Sequence, residues 1–138
     1  GQIPACWNND NGTTTNDNYK WCYYSGTGNG GTTGTGINNS NCIRFNSYSN
    51  SYNTNFLKTP VMNFPANTIM ELSFWYKNQK GGDFSVYIST DGGETYTNAL
   101  ITGLTGQSTW KEEKIILNNN EYVGAQNVVI VFKILLDL

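Results

Sequence analysis

From residue 42 onward the chain alternates apolar and polar side chains with a period of two, a pattern that buries one side only if the backbone is extended. Residues 68–77 put Met70, Leu72, Phe74 and Tyr76 on one face and Glu71, Ser73 and Trp75 on the other. Phe84, Val86 and Ile88 then alternate with Ser85 and Tyr87. Residues 42–47 obey the same rule, with Ile43 and Phe45 facing away from Arg44 and Asn46. Further strands are expected at 56–61, 95–101, 110–117 and 127–135, separated by turn residues such as Phe64, Pro65, Ala66 and Asn67. Turns about every 8–12 residues between short alternating segments predict an antiparallel sandwich or barrel. No stretch has a sustained helical period, so the fold class is all-β.

The N-terminal third reads differently. Residues 8–18 consist of Asn, Asp, Gly and Thr, and residues 25–40 of Gly, Thr, Asn and Ser with Ile37 the apolar exception. Both are expected to be long loops around a strand at 19–24. At the other end, residues 128–132 are apolar on both faces, as in a central strand, yet only six residues follow. The expectation is a single module, residues 1–138, belonging to a longer protein.

Charged residues make up 13% of the chain, against roughly 25% in an ordinary domain, and the net charge is −2. With no basic stripe, nucleic acid is excluded as a partner. No apolar run reaches the roughly 20 residues needed to span a bilayer, which excludes membrane insertion by a helix. The opening Gly1-Gln2-Ile3-Pro4 lacks the basic and apolar regions of a signal peptide, so an exported chain has already lost its signal. The spacing of Cys6, Cys22 and Cys42 matches no zinc site; one disulfide with a free thiol and three reduced thiols both fit it.

Absence of histidine removes the usual triad base, zinc ligand and general acid. The ten carboxylates form no recognisable catalytic pair, and Glu112 and Glu113 as strand neighbours point to opposite faces. The expectation is therefore no enzyme, with a glycoside hydrolase fragment a distant third reading. Hard oxygen ligands are dense at Asn8, Asn9, Asp10, Asn11, Asn16, Asp17 and Asn18, which suits a structural calcium, although an EF-hand spacing is missing. Alternatively these side chains cap turns. Ser89-Thr90-Asp91-Gly92-Gly93-Glu94-Thr95-Tyr96 resembles the Asp-box of many secreted β-proteins. Asp91 is expected to accept turn N–H groups from its place after Ser89, Gly93 to take positive φ, and Tyr96 to pack back across the hairpin. Trp75 and Tyr87 are expected on the outer side of neighbouring strands, where with Ser73 and Ser85 they form a sugar-stacking pair. The competing expectation is that the N-terminal loops cover this face, with Trp7 or Trp21 packed on it.

Taken in order, Pro4-Ala5-Cys6-Trp7, Tyr19-Lys20-Trp21, Cys42-Ile43-Arg44-Phe45, Leu57-Lys58-Thr59-Pro60, Leu72-Ser73-Phe74-Trp75-Tyr76 and residues 86–93 resemble the MAM-like jelly-roll modules of bacterial surface proteins. That group includes cleaved adhesin and choice-of-anchor J domains. The resemblance implies a jelly-roll sandwich, a secreted or cell-surface location, and a chain trimmed at both ends. It also implies calcium near the N-terminal loop, with Asp10 at the matching position and Asn11 and Asp17 beside it, and Asp137 approaching the acidic pair of the closing strand. The function it implies is an adhesion or glycan-binding module that meets a glycan or protein on a cell or matrix surface. The alternative is a spacer that packs on other domains of its parent chain.

Overall fold

The computed structural model describes residues 3–10, 21–24, 36–45, 54–79 and 82–136. Among these residues nine strands run β1 Asn8–Asp10, β2 Cys22–Tyr24, β3 Cys42–Arg44, β4 Thr54–Lys58, β5 Met70–Asn78, β6 Asp83–Ser89, β7 Asn98–Ile101, β8 Gln107–Leu117 and β9 Val129–Leu135. Among the described residues a 3-10 turn covers Ile37–Asn39, and no α-helix is present. All pairing is antiparallel, as the alternation predicts. One departure lies at the N-terminus, where Asn8, Asn9 and Asp10 form an edge strand on β4 rather than loop. Asn9 explains how so polar a segment can pair. Its amide accepts from the Trp21 N–H (3.1 Å) and donates to the Trp21 carbonyl (2.6 Å), acting as a backbone substitute.

The five-stranded sheet has the order β1-β4-β9-β6-β7, with β5-β8 and β2-β3 as two-stranded ribbons. Placing β9 at the centre accounts for its double-sided apolarity: Ile130 and Ile134 enter the main core, while Val129 and Val131 are buried on the opposite face. The β5-β8 ribbon packs across the inner face of the large sheet. Phe74 meets Phe84 and Phe132 edge-on at 6.3 and 5.6 Å, and Tyr76 approaches Phe84 at 5.9 Å. Trp7 stacks on Phe132 and Trp21 lies against Phe84 and Phe45, so the two N-terminal tryptophans extend this aromatic core.

Two connections settle which strands become neighbours. Before Pro60, which cannot donate, Thr59 prolongs the β4-β9 ladder with its N–H to the Ile130 carbonyl, while its hydroxyl accepts from the Ile130 N–H. After β5, Asn78 donates to the carbonyls of Gly82 (3.0 Å) and Leu104 (2.8 Å), fixing the point where the chain crosses from one layer to the other. Gly82 sits there at φ 85°, and a Cβ would lie 2.7 Å from Leu136 Cδ2. Hence β5 pairs with β8 and β6 with β7 and β9; β5 and β6 are consecutive in sequence but lie in opposite layers.

Candidate functional site

That crossing separates the expected sugar-stacking pair. Trp75 lies on the outer face of the β5-β8 ribbon and Tyr87 on the outer face of the five-stranded sheet, on opposite sides of the sandwich. Although consecutive in sequence, β5 and β6 are not paired with each other: β5 pairs with β8, and β6 with β7 and β9. Ser85 leaves the site as well, being 2% exposed with its hydroxyl donating to the Asp83 carboxylate at 2.9 Å. Ser73 stays with Trp75. Nor do Trp7 and Trp21 cover either outer face, because both pack on the core side.

On the β5-β8 face, Trp75 is 45% exposed and stands opposite Glu112 in register. Ser73, paired with Lys114, donates its hydroxyl to Glu112 Oε1 at 3.1 Å, and the Lys114 ammonium lies 3.5 Å from the same oxygen. A flat, exposed indole is thus flanked by a hydroxyl, a carboxylate and an ammonium already ordered by one another. Farther along, Ile69 and Ile116 are 60% and 51% exposed. Alternation puts Glu112 and Lys114 on one face of their strand, but only the register against β5 sets them beside Trp75 and Ser73.

The opposite face is built by the turn after β6. Asp91 accepts the Thr95 N–H on both carboxylate oxygens (3.0 Å each) and the hydroxyls of Thr95 and Ser89 (2.5 Å each). These bonds hold the Asp91 carboxyl well below the usual carboxylate range, those from Ser89 and Thr95 being the largest causes. Buried Ser89 accepts the Gly93 N–H, and Gly92 and Gly93 take φ near 80° and 89°. Folded this way, the turn lays Gly93 on Val129 and sends Tyr96 back over Phe56 (5.3 Å) and Tyr87 (6.2 Å). Burial, followed by the charge of Asp10, pushes the Tyr96 phenol up.

Of the expected calcium ligands, Asn11, Asp17 and Asp137 lie outside the described residues. Asp10 lies in β1 beside Phe56. Among the described residues no three His, Cys, Asp or Glu side chains come together as a metal set. Cys22 and Cys42 share one face of the β2-β3 ribbon, diagonal to one another, and burial is the leading cause raising the Cys42 thiol.

Comparison with known proteins follows the same lines. The model of the cleaved adhesin domain family matches residues 1–131. Among solved structures, the K1 cleaved adhesin domain of Lys-gingipain from Porphyromonas gingivalis W83 superposes with a TM-score of 0.69 at 23% identity, covering 96% of this chain and 82% of that one. The K3 cleaved adhesin domain of the same protein gives 0.66 at 24% identity, covering 98% and 88%. At these identities the superpositions establish a shared fold. Curated proteins give no match. With the family model spanning nearly the whole sequence, the chain belongs to the cleaved adhesin domain family.

Proposed function

We propose that this chain is a non-catalytic adhesion module of a longer secreted or cell-surface protein, and that it holds a glycan through the outer face of the β5-β8 ribbon. The observation that carries the reading is Trp75. A large ring left 45% exposed on a sheet face, ringed by ordered polar groups, offers a stacking surface that core packing does not require. Membership of the cleaved adhesin family supports attachment rather than turnover as the module's task. Ser73, Glu112 and Lys114 supply the donors and acceptors that a sugar ring needs around its apolar face. A glycan array probed with the wild-type module and Trp75→Ala tests this. Spots that bind the wild type and lose the variant support it, whereas a blank array or an unaffected variant removes it.

One observation favours a second reading, in which the same face packs on a neighbouring domain. Ile69, just before β5, and Ile116 on β8 are both more than half exposed, and a protein partner would bury them. Pull-down of the parent chain's adjoining domains, abolished by Ile116→Glu, would favour the spacer. A structural calcium belongs to the proposal only through Asp10 and the oxygen-rich segment at residues 8–18. Calcium bound to the native state raises the melting temperature by mass action, so equal values in chelator and millimolar calcium would exclude it.

A further inference from the structure

Two of the three cysteines meet on the β2-β3 ribbon, and we propose that they form a binding site for a soft monovalent cation, copper(I). Register pairs Cys22 with Arg44 and Tyr24 with Cys42, so both thiols and the guanidinium belong to one face of the ribbon, the thiols as diagonal neighbours. Trp21 and Phe45, which flank the paired block in sequence, pack on the core, and alternation turns Cys22, Cys42 and Arg44 the other way. Cys22 is exposed and Cys42 half-buried, so an ion reaches the pair from water. Cys6, the third cysteine, lies outside the ribbon, one residue before Trp7.

Distance decides between a sulfur–sulfur bond and a bridge through a metal. Diagonal strand neighbours stand about 7–8 Å apart, beyond the roughly 4.4–6.8 Å Cα separation of disulfides, and all three cysteines are free thiols. A cation between the sulfurs widens the span, since two bonds of about 2.3 Å each allow a separation of roughly 4.6 Å, against about 2 Å in a disulfide. The donor set then selects the ion. Zinc takes a closed set of four ligands; this chain has no histidine, and among the described residues no third His, Cys, Asp or Glu joins the pair. Thiolates are soft and select copper(I), which two of them satisfy in a line. Two thiolates and one copper(I) carry a net negative charge, which the Arg44 guanidinium opposite Cys22 offsets. Burial raises the Cys42 thiol, Arg44 opposes that rise, and the neighbouring Cys22 adds to it. On binding, each thiol releases its proton to solvent and the ion keeps its oxidation state, so the cation replaces both protons and relieves the repulsion between the sulfurs.

The β2-β3 ribbon is separate from the β5-β8 ribbon that carries Trp75, so the inference stands independently of the proposed function. The test counts the free thiols of the purified module and then titrates it, without oxygen, with copper(I) buffered by bicinchoninate. Three free thiols, one ion bound per chain and two sulfur ligands in X-ray absorption are expected. Cys22→Ser and Cys42→Ser should each weaken binding about tenfold or more, as loss of one of two ligands requires. Cys22→Ser, at an exposed position, should do so with the melting temperature unchanged. Cys6→Ser and Trp75→Ala should bind copper(I) as wild type does. The proposal is overturned if the module takes no copper from the chelator, if Cys6→Ser weakens binding as much as either ribbon variant, if zinc binds as tightly as copper(I), or if Cys22 and Cys42 are already joined as a disulfide.

Discussion

Asp91 shows how one side chain organises a turn and, through it, a face. The contacts it accepts come from Ser89, Thr95 and the Glu94 backbone, all within the loop that it organises. Asp91→Ala should lower the melting temperature near neutral pH and release Tyr96 from Phe56, seen as a change in near-UV circular dichroism. The pH dependence follows from the direction of its shift. A carboxyl whose folded pKa lies below its unfolded value of about 3.9 contributes fully above that value, and the contribution drains as pH falls toward the folded one. Wild type should therefore lose stability below about pH 4 more steeply than Asp91→Ala. An identical acid limb in the two proteins would contradict that assignment. Gly82 is another residue whose identity is forced by geometry. Its positive φ and the 2.7 Å approach to Leu136 predict that Gly82→Ala costs more than about 1 kcal/mol in urea denaturation.

Among the elements, β4 and β9 carry the clearest tension. Asn55 in β4 is fully buried and faces Ile134 of β9 across the pair, yet neither its amide nitrogen nor its oxygen has a hydrogen-bond partner among the described residues. A buried polar group left unpaired costs about 1–3 kcal/mol, so Asn55→Leu, close in volume, should be neutral or stabilising. A large loss of stability in that variant would mean that the amide holds a buried water. In β6, by contrast, Ile88 is 1% exposed in the centre of the core, and Ile88→Ala should cost about 2–5 kcal/mol. Both values can be read from chemical denaturation midpoints at constant slope.

At the scale of the whole molecule the sandwich has two outer faces of different character, one carrying Trp75 among paired charges and the other carrying Lys58 and Lys133 seated on aromatic rings. Trp75→Ala should alter stability by less than about 0.5 kcal/mol while removing glycan binding, since surface changes away from buried networks are usually that small. How far all this was legible follows from the range of each interaction. Alternation is a local property, so Met70, Leu72, Phe74 and Tyr76 were assigned to the core, and Glu71, Ser73 and Trp75 to the outside, from sequence alone. The Ser89–Tyr96 turn was legible for the same reason, its bonds spanning at most four residues apart from the backing of Gly92 by Asn127 and the bond from Lys58 to the Gly93 carbonyl. Asn8–Asp10 was not, because a strand of Asn and Asp has no apolar signal and exists only where β4 and the Trp21 backbone pair with it. Which strand lies beside which was equally hidden. Alternation says which side of a strand is wet but not to which layer the strand belongs, and the long-range pairing of β5 with β8 placed Trp75 and Tyr87 on opposite sides of the molecule. The sequence by itself thus determined strands, faces and turn; partners across the sheets, and with them the composition of each surface, were decided by tertiary structure, because register and layer depend on contacts between residues far apart in the chain.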